Sequence, residues 1–318
     1  MRQNRMKRAG ALVSALALCA GLTACGGGED QTAEKFLTAV QAQDFATAMT
    51  CMSEENRLNH VFRAVDGTSI PELDEVYRTF ASQLGEMTFE IVGPGEEAGT
   101  FNVRIQSKDY DTAIREAMNA AIRTQVEEGG DSFLNYAGWL SQGVSQAAMG
   151  EKSEEVMTVS KENGGKIDTI ESWDFFDRLT GGFYDYANLT MTTCTLANEE
   201  QESTYYIASR GDYVIGCIMV DAVSLDLSGA TEEDLTLLAE EAEKGLRGMK
   251  GIYGHAEAGD GKVTITVGID LNEVEPVSLI KMGLIEGSRG YNEHLSLKTT
   301  IEGFESQGMT CVTAPQYA

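Results

Sequence analysis

The sequence has little positive charge. Its 318 residues include 24 lysines and arginines against 50 aspartates and glutamates, which gives a formal net charge of −26. A surface this acidic is repelled by phosphate backbones and by anionic membrane surfaces. We therefore exclude nucleic acid as a partner. Because 42% of the residues are hydrophobic, the chain can still bury hydrophobic cores, and extensive disorder is not expected.

The sequence also lacks long apolar segments and the usual patterns of metal and catalytic sites. The longest uncharged stretch, residues 132–150, contains Asn, Gln and Ser, so it does not suit a bilayer interior. There is no CxxC motif and no Cys/His cluster, so a zinc site is not expected. The three histidines, His60, His255 and His294, are far apart, and none has the pattern of a catalytic triad. We therefore predict no cofactor, no catalytic residue and no enzymatic activity.

The first 24 residues have the three zones of a secretory signal. Basic residues lie among residues 2–8, and an apolar run follows at residues 9–20 that is too short to span a bilayer. The residues that come next, before three glycines, are Leu22, Thr23, Ala24 and Cys25. This segment resembles the lipobox of bacterial lipoproteins, in which the cysteine becomes the new N-terminus.

The lipobox resemblance implies a location. Residues 1–24 would be the lipoprotein signal peptide, Cys25 would carry a diacylglycerol and a further acyl chain such as palmitate, and residues 25–30 would form a glycine-rich tether. Each buried CH₂ contributes about 0.8 kcal/mol, and two or more chains anchor a protein stably. The expected partner at this end is the lipid bilayer of the cell membrane, with the protein facing outside the cytoplasm. An ordinary cleaved signal with an unrelated cysteine is the alternative.

Residues 31–187 are predicted to form an α+β domain in which helices pack an antiparallel sheet. Their pattern comprises helices at 33–52 and 71–84, a hairpin at 87–105, helices at 109–150, a hairpin at 156–170 and a short helix that ends at Gly181-Gly182. The helix, polar break and helix at 33–52, and the glycine hairpin, strand and helix at 162–182, resemble the domain of bacterial lipoproteins whose fold is like that of nuclear transport factor two. The resemblance implies a cone-shaped fold, which often encloses a ligand cavity.

A dense group of aromatic residues near the end of this domain is the predicted ligand site. The residues taken as the candidate pocket are Trp173, Phe176, Phe183 and Tyr184. Because the cone-shaped fold often encloses a cavity, these rings could line its mouth. Packing of the same rings in the core of the domain is the alternative.

Residues 188–318 are predicted to form a second α+β domain, again an antiparallel sheet packed by helices. Its distinguishing segments are Gly211-Asp212-Tyr213-Val214, Met249-Lys250-Gly251, residues 263–267 and Glu302-Gly303-Phe304. These segments resemble the YehR-like family of small bacterial lipoproteins. No catalytic motif defines that family, so the resemblance implies a fold and a cellular location but no chemistry.

The YehR-like resemblance also implies a disulfide. Relatives with this pattern contain a similar cysteine pair, so Cys194 and Cys311 are predicted to be bonded. Closure of this long loop would stabilise the fold by about 4–5 kcal/mol in the chain-entropy model. The alternative is four free thiols, at these two residues and at Cys51 and Cys217.

Together these features predict a non-enzymatic lipoprotein that binds a small molecule or a cell-envelope protein. One alternative is a structural subunit of an envelope complex, which an exposed apolar patch on the second domain would favour. The other is a hydrolase with an acid pair in the first domain. A cavity with two convergent carboxylates of raised pKa would favour that reading.

Overall fold

The computed structural model describes residues 29–53, 57–65, 71–161, 164–186, 189–199, 201–224, 231–281 and 295–314. The lipobox-like residues 22–25 lie outside these ranges. None of the helices in the described part of the chain is long and apolar enough to cross a bilayer.

The described residues include eleven helices and ten strands. The helices are α1 (Glu29–Gln41), α2 (Phe45–Thr50), α3 (Arg57–Ala64), α4 (Pro71–Leu84), α5 (Tyr110–Glu128), α6 (Tyr136–Gln146), α7 (Trp173–Thr180), α8 (Phe183–Tyr186), α9 (Glu232–Leu246), α10 (Pro276–Lys281) and α11 (Leu297–Ser306). The strands are β1 (Thr88–Pro94), β2 (Thr100–Gln106), β3 (Ser153–Ser160), β4 (Lys166–Ile167), β5 (Leu189–Ala197), β6 (Gln201–Arg210), β7 (Tyr213–Ser224), β8 (Ile252–Gly259), β9 (Lys262–Asp270) and β10 (Thr310–Thr313).

Local side-chain chemistry sets the ends of the helices that matter most for the site. The Asp109 carboxylate accepts the N–H of Thr112 at 3.0 Å and so caps the start of α5. A capping box of Thr231 and Asp234 opens α9. Gly181 ends α7 in the left-handed conformation, with φ of 54°, and a Cβ there would collide with the carbonyl oxygen of Lys108.

The predicted α+β fold class is confirmed, because the strands form two antiparallel sheets that helices pack. The first sheet has the order β1-β2-β3-β4, and the second has the order β10-β5-β6-β7-β9-β8. All strands of the first sheet precede residue 188, and all strands of the second follow it. In the second sheet α9 packs against β8 and β9, and α11 packs against β10.

Helix α5 joins the two halves of the chain, because it packs against β7, β8 and β9 of the second sheet. Two strand residues at this contact are glycines. A Cβ on Gly268 would lie 2.5 Å from Cγ2 of Ile122 and 2.8 Å from Cγ2 of Val126, and a Cβ on Gly216 would lie 3.2 Å from Cδ1 of Ile122. The absence of side chains on the sheet therefore makes room for the apolar face of α5.

A polar network continues the same contact. The buried Asp270 accepts the side-chain N–H of Asn119 at 2.7 Å, and the Tyr253 hydroxyl donates to the Asn119 side-chain oxygen at 2.8 Å. The main hydrophobic core likewise contains residues from both halves, including Phe80 and Ile218. The two predicted domains therefore both contribute residues to the main core, and three smaller clusters lie within the second half.

Cys194 and Cys311 form a disulfide across β5 and β10, with an S–S distance of 2.01 Å. Cys51 and Cys217 are free thiols, of which Cys51 is buried and Cys217 is half-buried.

Candidate functional site

The four aromatic residues of the predicted pocket pack mainly against other rings. Phe176, Phe183 and Tyr184 are buried, whereas Trp173 is 41% exposed. Phe183 stacks on Phe80 with ring centroids 4.0 Å apart, and Trp173 meets Tyr184 edge-on at 5.1 Å. None of the four lines the cleft described next.

A polar cleft of about 320 Å³ lies where the first half of the chain meets the second sheet. We call it the junction cleft. It is bounded by the loop after β2, the first turn of α5, the end of α7 and the last residue of β6. Its charged lining residues are Lys108, Asp109, Asp111, Asp177, Arg178, Asp185 and Arg210. Its volume falls at the lower end of the range for small-molecule sites.

Arg210 binds two carboxylates of the opposite half. Its Nη1 lies 3.4 Å from Oδ1 of Asp111 and 3.1 Å from Oδ2 of Asp185. The guanidinium also stacks over the rings of Tyr186 and Tyr213, with distances of 5.1 and 5.5 Å to the centroids. The Arg210 side chain is only 19% exposed, so these interactions are partly shielded from solvent. Arg210 therefore crosses the junction and fixes the two carboxylates.

Asp111 has two further partners besides Arg210, a hydrogen-bond donor and a second arginine. The Tyr186 hydroxyl donates to Oδ1 of Asp111 at 3.0 Å, and Arg115 lies 3.1 Å from Oδ2. Burial, followed by the nearby Asp111 charge, raises the pKa of Tyr186 well above its ordinary value, so this phenol stays protonated as a donor.

The Asp177 side chain differs from its neighbours because, among the described residues, its carboxylate makes no hydrogen bond or ion pair. Burial raises its pKa above the ordinary value, and the negative charges of Asp185 and Asp111 raise it further, while the charge of Arg178 acts in the opposite direction. The lysine of the lining is already engaged, since Nζ of Lys108 lies 3.4 Å from a Glu86 carboxylate oxygen. The cleft therefore holds one half-buried carboxylate without a cationic partner.

The charges that line the junction cleft suit the binding of a small cation. The lining residues carry four carboxylates against three basic groups, and Arg210 shares its single charge between two of those carboxylates. A ligand with one protonated amine would compensate Asp177. Among the described residues, no group of three or more His, Cys, Asp or Glu side chains could hold a metal ion.

The charged residues of the junction cleft are not among the site residues predicted from the sequence. A usable signal was the segment from Trp173 to Tyr186, where three aspartates alternate with six aromatic residues. A stretch that must bury so many rings draws some of its carboxylates inward, which is unusual enough to mark a site. The contribution of Arg210 carries no comparable signal.

No protein-family model matches the chain, and no curated protein matches it. Among solved structures, the chain is similar to the NMR structure of YehR from Escherichia coli. The two are 17% identical, the alignment covers 38% of this chain and 89% of YehR, and the TM-score is 0.33. The chain is also similar to an NMR structure of a protein from Streptococcus pneumoniae TIGR4. Here the identity is 11%, the coverage is 39% of this chain and 85% of that protein, and the TM-score is 0.27.

Proposed function

We propose that this chain is a bacterial lipoprotein, anchored through acylated Cys25 on the outer side of the cell membrane, that binds a small polar molecule in the junction cleft. The location is supported by the signal-like residues 1–24 and the lipobox-like residues 22–25. The resemblances of residues 31–187 and 188–318 to lipoprotein domains agree with it. The tether then holds an acidic body away from the membrane surface.

The ligand class is proposed from Asp177, whose carboxylate lies in the junction cleft without a cationic partner among the described residues. A protonated amine would supply the missing charge and up to three N–H donors. Hydroxyl or amide groups elsewhere on the ligand would meet the polar lining, which includes Thr112 and the backbone at Gly181 and Gly182. We therefore propose a small, polar, amine-bearing ligand.

A calorimetric titration tests the ligand class. The probes are small amines, such as ethanolamine and putrescine, each paired with a neutral analogue of the same size. We expect amines to bind and their neutral analogues not to bind, and we expect Asp177→Asn to abolish binding. Asp174→Asn is the matched control, because it removes the same charge from an exposed position of α7 outside the cleft lining. Equal effects of the two substitutions would show that only net charge matters.

The pH dependence of binding follows from the same carboxylate. Since the pKa of Asp177 is raised, the cleft would lose its binding charge on acidification earlier than an ordinary aspartate would. Amine affinity should therefore fall as the pH decreases through the raised pKa. An affinity that does not change between pH 7 and pH 4 would exclude Asp177 as the binding group.

Detergent phase partition tests the anchor independently of the ligand. The full chain should enter the detergent phase when expressed in a bacterium that processes lipoproteins. Cys25→Ser should move the protein to the aqueous phase or leave its signal unprocessed. Cys19→Ser is the matched control, because it changes the other cysteine of the signal segment and should leave partition unchanged.

A hydrolase is the second candidate, and the environment of the cleft carboxylates is the observation that favours it. A carboxyl of raised pKa beside carboxylates that form ion pairs with an arginine resembles the division between two carboxyl groups that acid–base enzymes use. The test is hydrolysis of a panel of nitrophenyl glycosides and esters by the wild-type chain and by Asp177→Asn. Turnover by the wild-type chain that disappears in the variant would support a hydrolase in place of a binding protein. Amine binding without turnover would support the binding proposal.

A further inference from the structure

A short edge strand closes the second sheet near the C-terminus. β10 has four residues and pairs within the sheet only with β5. Cys311 of β10 lies directly opposite Cys194 of β5, with 4.0 Å between their Cα atoms. Beside this pair, the hydroxyls of Thr192 and Thr313 hydrogen-bond at 2.9 Å. The disulfide therefore joins a short edge strand covalently to the sheet.

The helix that precedes β10 adds little non-covalent attachment. None of the residues of α11 is buried. Phe304 contacts the Tyr205 ring edge-on, with centroids 5.0 Å apart, and Asp212 accepts the N–H groups of Leu297 and Lys298 at 2.8 Å each. Apart from Met309 between them, the hydrophobic residues of the helix and the strand are at most partly buried, so their docking contributes less free energy than that of a fully buried element. We call residues 295–314 the C-terminal segment.

The C-terminal segment covers an apolar cluster on the outer face of the second sheet. The buried members of this cluster are Cys194, Ile207, Val214 and Met309, and Cys217 packs against them. Burial raises the pKa of the Cys217 thiol to about 12. The thiol is therefore protonated and unreactive at neutral pH as long as the cluster stays covered.

We propose that the Cys194–Cys311 disulfide is a redox-controlled latch, whose reduction by a dithiol releases the C-terminal segment from the second sheet and uncovers Cys217. Three features carry the proposal: the bond joins an edge strand to its neighbour, most of the segment is only partly buried, and a free thiol packs in the cluster that the segment covers. The location of the bond matters here, because a disulfide inside the sheet would release nothing on reduction.

The exchange chemistry balances with a dithiol as the reductant. A thiolate of the reductant attacks Sγ of Cys311, which is half-buried, and forms a mixed disulfide, while the fully buried Cys194 leaves as a thiolate. The second thiol of the reductant then attacks the mixed disulfide, closes the reductant's own disulfide and releases Cys311. The reductant loses two electrons, and its two thiol protons end on Cys194 and Cys311.

The experiment compares alkylation of Cys217 and Cys51 in the full-length chain. N-ethylmaleimide is added at pH 7.5 to the oxidised wild type and to Cys194→Ser/Cys311→Ser, and the rates at Cys217 and Cys51 are measured by peptide mass spectrometry. We expect the rate at Cys217 to rise roughly tenfold or more in the variant, which corresponds to about 1.4 kcal/mol of lost local stability. Cys51 is the internal control, because it is buried in the other half of the chain.

Each outcome decides the proposal. An increase at Cys217 alone supports the latch. An unchanged rate at Cys217 overturns it, because the segment then stays docked without the bond. Equal increases at both cysteines also overturn it, since the disulfide would then stabilise the whole fold. If the double variant does not fold, the same rates are measured on wild-type protein after brief dithiothreitol treatment, with deuterium exchange at residues 295–314 as a second measurement.

Discussion

The contact between α5 and the second sheet can be tested by adding a single methyl group. Gly268 is a β9 residue with ordinary backbone angles, so alanine is conformationally acceptable there. The effect of Gly268→Ala should therefore come from packing alone. The new Cβ would lie 2.5 Å from Cγ2 of Ile122 and 2.8 Å from Cγ2 of Val126, both on α5.

The expected magnitude follows from these distances. Non-bonded carbon atoms are most stable at about 3.5–4.0 Å, so both methyl groups have to move by about 1 Å. Ile122 and Val126 are fully or almost fully buried, and neither has free space to move into. Such overpacking costs about 1–3 kcal/mol of unfolding free energy. For a chain of this size, this corresponds to a fall in Tm of a few degrees.

Urea unfolding followed by circular dichroism measures the effect, and two further variants make it specific. Gly259→Ala is the matched control, because it adds a methyl group to β8 with no neighbour within 4 Å. It should change stability by less than about 0.5 kcal/mol. In a double-mutant cycle, Ile122→Ala should relieve Gly268→Ala, with a coupling energy of about 1 kcal/mol or more. If Gly268→Ala is no more harmful than the control, or if the cycle is additive, α5 does not pack against the sheet in this way.

Substitutions at three further positions test the cleft and a helix. Asp177→Asn should raise the free energy of unfolding at pH 7, because an aspartate whose pKa is raised by folding loses stability as the pH rises above the ordinary value of 3.8; melts at pH 3, where the carboxyl is protonated in both states, should show no difference. Arg210→Met should cost about 2–3 kcal/mol in urea unfolding, because it leaves Asp111 and Asp185 without their shared cation, and Arg210→Lys should recover only part of this loss. Gly245→Ala in α9 adds a methyl group in open space and should raise Tm by the equivalent of about 0.5–1 kcal/mol.

Local patterns in the sequence were sufficient to predict most of the elements and the fold class. The Thr231 and Asp234 pair predicts the start of α9 because a capping box depends on residues only three positions apart. The same holds for the end of the short helix α7 at Gly181, where the required left-handed conformation favours glycine. Both signals act within one turn of chain, so they can be read without knowledge of the tertiary structure.

The junction cleft could not be predicted in this way, because its chemistry depends on how the two halves of the chain meet. Asp111 and Arg210 are 99 residues apart, and what brings them together is the packing of α5 on a sheet surface that Gly268 keeps clear. Glycine in a strand usually indicates a bulge or a weak position, so its role as space for a helix is visible only with both surfaces in view. Among the described residues, Arg210 forms ion pairs with Asp111 and Asp185, whereas the carboxylate of Asp177 lies in the same cleft without an ion pair. The candidate site is therefore recognised by a carboxylate that has no ion pair among the described residues. A sequence alone does not show which charged side chains stay unpaired after folding.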